Sequence, residues 1–377
     1  MDKNAMNMNV MAGTGALLVA PQRSESVNQL VCVERWNETA DVVSFRFQAG
    51  EPMKFDYKPG QFMTFVLEIN GEQVCRSYTL SSSPSRPYSL MVTIKRVEGG
   101  LVSNYLIENL IPGQSVRMLP PTGQFNLIDI PAQKYLFLSA GCGITPMYSM
   151  SRYLTDTQIN ADIAFVHSAR SEADIIFKSS LDTMASRFNT FKLSYALETG
   201  TETVTSHSPM ISFDFGRLTA KMLQTAVPDF ADRTIYLCGP EPYMKAVKAL
   251  LDELSFDMRQ LHHESFATAS IAARSQLIQD EFSDKTNTNR QEVAFTLSIG
   301  ERSTRLKLGQ SLLEGIEAEG LPIIAACRSG VCGACKCQVL AGETVSTSVM
   351  TLTAAEIEAG FVLACSTTLT SDATLKI

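Results

Sequence analysis

Tyr135-Leu-Phe-Leu-Ser-Ala140-Gly141-Cys142-Gly143-Ile144-Thr145-Pro146 is the stretch on which the fold of this chain turns. Tyr135 to Ala140 reads as a buried strand, the Gly141/Gly143 pair turns the chain sharply, and Pro146, with its fixed φ, suits the first turn of a helix. A strand that enters a helix through glycines is the repeating unit of a parallel sheet with crossover helices, and the start of such a helix attracts phosphate. The pattern continues downstream. Strand-like runs at 163–167, 192–197 and 234–237 alternate with helical stretches at 147–155, 175–187 and 242–254. The last strand runs into a second glycine turn, Tyr236-Leu-Cys238-Gly239-Pro240-Glu241-Pro242-Tyr243-Met244. The first turn lacks the third glycine of the G-x-G-x-x-G fingerprint, so a standard dinucleotide fold is not indicated by spacing alone.

Upstream of Lys134 the texture is different. Short alternating strands at 41–47, 61–67 and 88–96, with turns at Pro59-Gly60 and Pro112-Gly113, predict a small closed antiparallel barrel. Within it, Cys75-Arg76-Ser77-Tyr78-Thr79-Leu80-Ser81 ends a strand, where residues two apart share a face, so Arg76 and Tyr78 project together. A flavin nucleotide needs a guanidinium for phosphate, an aromatic face for its ring and a hydroxyl near its reactive nitrogen, which Arg76, Tyr78 and Thr79 could supply. By itself this short pattern is weak and reads rather as an exposed strand. Lys95-Arg96-Val-Glu-Gly99-Gly100-Leu101-Val102-Ser103 then adds a glycine turn opening onto a helix, a second phosphate site.

Near the C-terminus, Cys327-Arg-Ser-Gly-Val-Cys332-Gly-Ala-Cys335 has the spacing C-x4-C-x2-C, and Cys365 follows. This is the ligand spacing of a plant-type 2Fe–2S cluster: thiolates match ferric iron, and Gly330 and Gly333 let the loop wrap with its N–H groups aimed at sulfur. A zinc site would favour paired C-x2-C knuckles or histidines, and the four histidines (His167, His207, His262, His263) all lie upstream. Cys337 falls outside the spacing and reads as a packed thiol.

The chain has 377 residues, too many for one ordinary core. Five segments are expected: an N-terminal tail (1–26), a flavin barrel (27–130), a nicotinamide domain (131–266), a polar linker (267–290) and an iron–sulfur domain (291–377). The apolar run at 10–20 is read as part of a loosely docked tail, a secretory signal being the alternative, since its positive flank is weak. No apolar run is long enough to span a bilayer, and a formal net charge of -7 disfavours nucleic acid as the main partner. Nine cysteines cannot all pair, which fits a reducing cytoplasm.

The final 85 or so residues resemble the plant-type ferredoxin module, a small β-grasp sheet, through the cysteine loop, Gly342-Glu343 and Gly360-Phe-Val-Leu-Ala-Cys365. Residues 30–266 resemble the ferredoxin–NADP reductase superfamily, through R-x-Y-T, the glycine turn before Ser103, G-x-G-I-T-P and the Cys238-Gly-Pro turn. That resemblance implies a multidomain protein: antiparallel β-barrel, α/β parallel sheet and α+β ferredoxin domain. It implies that Arg76, Ser77, Tyr78 and Thr79 contact FAD, preferred here over FMN, and that Gly100, Leu101, Val102 and Ser103 hold its pyrophosphate. Gly141, Gly143, Thr145, Pro146, Cys238, Gly239 and Pro240 would hold the nicotinamide nucleotide. Arg170 would reach its adenosine side or else be plain surface charge, and the aromatic of Phe266 would cover the flavin. Tyr78, Thr79 and Cys238 would frame the hydride-transfer site, Cys238 without any nucleophilic or acid–base role. NADH is preferred over NADPH, since no dense basic group follows strand 163–167.

Further motifs (Arg170-Ser-Glu-Ala-Asp174-Ile-Ile-Phe177, Gly216-Arg217-Leu218-Thr219 and 346–353) resemble the family of NADH oxidoreductases that reduce hybrid cluster protein. This implies electron flow from NADH to FAD to the cluster to a protein acceptor, in nitric oxide or hydroxylamine detoxification under nitrosative stress. The reductase component of a Rieske-type oxygenase has the same three modules, and an iron–sulfur redox sensor is an alternative of another class.

Overall fold

The structure is a computed structural model and describes residues 28–158, 160–200, 208–266, 294–323, 328, 330, 333–349 and 351–377. The expected tail, the expected linker, His207 and two of the four cluster cysteines, Cys327 and Cys332, lie outside the described residues.

The first domain is a six-stranded antiparallel sheet of β1 (Asn28–Asn37), β2 (Val42–Ala49), β3 (Phe62–Ile69), β4 (Glu72–Thr79), β5 (Leu90–Lys95) and β6 (Ser115–Thr122), in the order β4-β3-β6-β1-β2-β5. It curls until its edges meet at the Leu80–Val92 bridge, which gives the closed barrel that the turn spacing predicted. Alternation drives this: Phe45, Phe47 and Phe65 are fully buried, and Phe47 meets Phe65 edge to face at 5.7 Å. Each such ring contributes roughly 1.5–3 kcal/mol by leaving water. Helix α1 (Leu101–Asn109) caps one end through Val102, Leu106 and Ile107.

The second domain alternates β7 (Lys134–Ala140), α2 (Ile144–Thr157), β8 (Asp162–Ala169), α3 (Lys178–Arg187), β9 (Phe191–Leu197), β10 (Ile211–Phe215), α4 (Ala220–Ala226), β11 (Thr234–Cys238), α5 (Glu241–Glu253) and β12 (Leu261–Glu264). The sheet order is β10-β9-β8-β7-β11-β12, and every pairing is parallel. From β7 the chain winds outward through β8, β9 and β10, then returns to the other side of β7 as β11. The strand order therefore reverses between β7 and β11, and ligands of open α/β sheets bind outside the strand ends at such a point. Both glycine turns leave from there.

Two expected helices are displaced. The one expected from residue 147 begins at Ile144, and the one expected over 175–187 begins at Lys178. Ile175, Ile176 and Phe177 are buried core instead; Phe177 adopts a left-handed φ of 59° and stacks its ring on Tyr148 at 4.0 Å, so the chain turns there before the helix can start.

The third domain is a sheet in the order β14-β13-β19-β15-β17, built from β13 (Ala294–Ile299), β14 (Arg302–Lys307), β15 (Lys336–Ala341), β17 (Phe361–Leu363) and β19 (Ala373–Lys376), with β13 and β19 parallel. A two-stranded ribbon, β16 (Thr344–Ser346) and β18 (Thr367–Leu369), lies beside it. Helix α6 (Leu312–Ala318) starts at a Ser311/Glu314 capping box and packs Leu312, Leu313 and Ile316 over the sheet. A short α7 (Ala354–Glu358) is capped the same way by Thr353 and Glu356.

The barrel and the parallel-sheet domain share a core. Val42 and Met91 of the barrel pack with Ile144, Met147 and Tyr148 of α2 and its approach. Ser149 Oγ donates to the Ser82 carbonyl at 2.5 Å, and Arg86 holds Asp156 through Nε and Nη2 at 3.0 and 3.1 Å. This one interface, an apolar core with polar links at its edge, holds the barrel against α2.

Candidate active site and electron path

On β4 the expected flavin residues lie as the period-2 geometry requires. Tyr78 packs its ring edge to face against Phe65 at 5.6 Å, and burial pushes its phenol well above the ordinary range, so it stays neutral. Arg76 has no carboxylate partner among the described residues, which leaves its guanidinium for an anionic group. The Thr79 hydroxyl oxygen is buried without a hydrogen-bond partner. A buried unpartnered hydroxyl costs about 1–3 kcal/mol, a cost that a bound group with a polar atom there would remove. Ser77 is different from its neighbours: on the opposite face, its hydroxyl is engaged with that of Thr64 at 2.8 Å.

The helix start at Gly100 also fits a phosphate. No side chain caps α1, so the first N–H groups at Leu101, Val102 and Ser103 are open to an anion. The Ser103 hydroxyl accepts from the Val97 N–H at 3.3 Å, which fixes its oxygen and leaves its proton to be donated to a phosphate oxygen.

At the switch point, Gly143 approaches β11 so closely that a Cβ would run into the backbone of Cys238. Gly141, at φ 51°, has open space on its Cβ side, which leaves room for a nucleotide. Thr145 Oγ1 donates to the Cys142 carbonyl at 3.0 Å and tightens the turn, and Pro146 is buried in the first turn of α2 as expected. Cys238 is fully buried and its thiol is pushed well above its usual range, first by burial and then by nearby Glu264. A thiol so held is no nucleophile.

Two residues join this constellation that sequence reasoning gave no role. Glu264 pairs in register with Cys238 across β11 and β12, is 3% exposed, has an unpartnered Oε2, and is pushed by burial up to about 8. Cys142, between the two turn glycines, feels Lys95 of the barrel, while both Tyr78 and Cys238 feel it. Nothing next to it in the sequence marked Glu264, which follows Arg259-Gln-Leu-His-His263; the neighbour that gives it meaning is 26 positions away in the chain. Arg170 lies at the end of β8, but its guanidinium is shared by Asp174 at 2.6 Å and Asp41 at 3.4 Å. Phe266 is 39% exposed at the end of the domain.

In the third domain Cys335 and Cys365 come together in a buried pocket. Gly330 N–H donates to Cys365 Sγ at 3.1 Å and Cys365 N–H to Cys335 Sγ at 3.4 Å, the sulfur-directed backbone donors expected of a cluster loop. Cys337 points into the hydrophobic core, 2% exposed, as a packed thiol. The described histidines, His167, His262 and His263, all lie on strands of the parallel-sheet domain and not in the third domain.

The cysteine loop is not isolated from the flavin strand. Ala334 packs on Phe62 of the barrel, against which Cys75 and Leu119 also pack, and Phe62 is the register partner of Thr79. Gln124 Nε2 donates to the Leu352 carbonyl across the same junction.

Comparison with known proteins agrees with this division. Residues 29–127 match the model of the oxidoreductase FAD-binding domain, 137–249 that of the oxidoreductase NAD-binding domain, and 297–370 that of the 2Fe-2S iron-sulfur cluster binding domain. The glycine betaine monooxygenase reductase subunit of Chromohalobacter salexigens is 42% identical over 343 residues, covering 89% of this chain and 92% of that relative. The chain belongs to the ferredoxin–NADP reductase family, with a C-terminal 2Fe–2S domain. Other members of that family include the stachydrine N-demethylase reductase subunit of Rhizobium meliloti, 36% identical over 89% of this chain and 92% of its own, and the NADH oxidoreductase HCR of Escherichia coli, 34% identical over 83% and 86%. Phthalate dioxygenase reductase shares the fold, with a TM-score of 0.57 at 20% identity over 93% of this chain and 98% of that one. This reductase therefore carries FAD-binding, NAD-binding and 2Fe–2S domains, and transfers electrons from a nicotinamide nucleotide through flavin to the cluster. No helix among the described residues is long and apolar enough to cross a membrane.

Proposed function

We propose that the protein is the NADH-dependent reductase component of an oxygenase acting on a quaternary ammonium compound of the betaine type. When bound, the flavin divides the two electrons of a nicotinamide nucleotide into the single steps that a 2Fe–2S cluster accepts. The residues do the rest. Arg76, Thr79 and the open start of α1 hold the flavin, Gly141 and Gly143 seat the nucleotide at the strand switch, and Cys238 and Glu264 shape the nicotinamide end. Cys327, Cys332, Cys335 and Cys365 hold the cluster, and Ala334 rests its loop on the flavin barrel.

The observation that carries the choice of acceptor is the full-length likeness to glycine betaine monooxygenase reductase subunits at 42%, joined by the N-demethylase reductase at 36%. The preference for NADH is supported by Arg170, whose charge is already shared by two carboxylates and so poorly placed to neutralise an added phosphate. A second reading, reduction of hybrid cluster protein, is favoured by the 34% identity to the Escherichia coli oxidoreductase.

Reconstitution separates them. The purified reductase is mixed anaerobically with a betaine-type Rieske oxygenase or with hybrid cluster protein, and NADH or NADPH is added. Rapid reduction of the oxygenase centre with NADH is the expected result. Rapid reduction of hybrid cluster protein with an inert oxygenase would overturn the proposal in favour of the second reading.

A further inference from the structure

Thr351 lies between β16 and α7, and its hydroxyl oxygen is shut off from solvent with no hydrogen-bond partner. Its neighbours are not in that position. Ser348 Oγ donates to the Gly330 carbonyl at 2.5 Å, Thr347 Oγ1 to the Ser366 carbonyl at 3.1 Å, and Ser366 Oγ to the carbonyls of Ser348 and Leu363, each at 3.2 Å. This part of the fold satisfies its buried hydroxyls with protein carbonyls, and Thr351 is left over.

The unpartnered oxygen is pressed against the cysteine loop. A Cβ on Gly333 would stand 2.7 Å from Thr351 Oγ1, and Gly333, at φ 74°, is the residue between Cys332 and Ala334. A β-carbon is excluded there twice over, by the left-handed backbone and by the hydroxyl. Leu352, the next residue, takes the hydrogen bond from Gln124 of the barrel, so Thr351 belongs to the side of the loop that meets the flavin domain.

A hydroxyl has one proton to donate, and leaving it buried and unused costs about 1–3 kcal/mol. An acceptor that arrives with something the loop binds would remove that cost, and the sulfurs of an iron–sulfur cluster are weak, negatively polarised acceptors carried by the same loop whose Gly333 lies against Thr351. We propose that Thr351 Oγ1 donates a hydrogen bond to a sulfur of the cluster held by this loop, or of its ligating cysteines. Such a bond favours the reduced cluster, which carries one more negative charge, and raises its reduction potential. The inference rests on the reading that the loop holds a 2Fe–2S cluster. Thr351 is then a tuning residue on the flavin-facing side, and it eases delivery of the electron from flavin to cluster.

The test is a redox titration of the holoprotein followed by electron paramagnetic resonance of the reduced cluster, with Thr351→Val, Thr351→Ala and Thr351→Ser. Valine keeps the shape and alanine removes it; both lose the donor. The expected result is a more negative midpoint in both, and a midpoint close to wild type in the serine variant. If the valine protein does not assemble its cluster, the alanine and serine proteins carry the comparison. Val and Ala variants at the wild-type midpoint, or a serine variant displaced as far as alanine, would overturn the proposal. A wild-type protein without any 2Fe–2S signal would instead sink the cluster reading beneath it.

Discussion

Glu264→Gln reports directly on the buried carboxyl beside Cys238. Glu264 is 3% exposed, and burial moves its carboxyl from an ordinary 4.5 up to about 8. At about 1.4 kcal/mol per pH unit, that interval corresponds to roughly 5 kcal/mol. Between those two values the folded protein keeps a proton that the unfolded chain has released, so stability falls as pH rises through the window. By pH 7 the loss is roughly 3 kcal/mol, and it is complete above pH 8. Glutamine keeps the shape and has no proton to lose, so the variant lacks this slope. At roughly 2–4 °C per kcal/mol for a unit of this size, the melting temperature of Glu264→Gln relative to wild type should climb by about 10 °C between pH 5 and pH 8. The assay is thermal unfolding of flavin-loaded protein across that range. Because the carboxyl lies beside Cys238, which we propose shapes the nicotinamide end of the site, the same titration is expected in the rate of flavin reduction by NADH and should vanish in the variant. A melting difference that does not change with pH would refute the reasoning, since it would mean that water or a cation reaches Glu264 in the folded state.

Two further outcomes follow from the flavin and its junction with the cluster. Arg76→Ala removes a guanidinium that has no carboxylate partner among the described residues, and loss of a charge-assisted bond worth about 1.5–3 kcal/mol should weaken flavin retention by roughly 10- to 100-fold. Flavin release on desalting and dilution measures this, and unchanged retention would remove Arg76 from the phosphate site. Gln124→Leu deletes the amide that reaches the Leu352 carbonyl; a bond of about 0.5–1.5 kcal/mol predicts a roughly 2- to 10-fold slower reduction of the cluster by the flavin. Stopped-flow absorbance should show flavin bleaching by NADH at the wild-type rate and only the second phase slowed, and equal second phases would show that this contact does not hold the transfer geometry.

Local chemistry made much of the molecule legible in its sequence. Strand-to-glycine turns at Gly141 and Cys238, the period-2 placement of Arg76 and Tyr78, and the cysteine spacing are short-range facts, because they depend on backbone torsions and on the reach of a few adjacent side chains. The three domains and their order follow from them. The misplaced helix start came from packing that the sequence does not show: Ile175 to Phe177 are buried, and Phe177 stacks on Tyr148 and adopts a left-handed turn before the helix begins. Ser77 shows the same limit, since its proximity to Arg76 in the motif concealed that it faces Thr64.

What the sequence determined by itself, then, is the set of chemical parts: a phosphate-reading strand, a nucleotide turn and a thiolate loop, each encoded within about a dozen residues. What the tertiary structure decided is their juxtaposition. Strand order alone puts Glu264 of β12 beside Cys238 of β11, where burial rather than any neighbouring charge keeps the carboxyl protonated. Docking of the third domain alone brings Ala334 to Phe62 and Gln124 to Leu352, contacts between residues more than 200 positions apart. Burial and close approach are properties of the packed whole, and a carboxylate or a threonine carries no mark in the sequence of what will be folded against it.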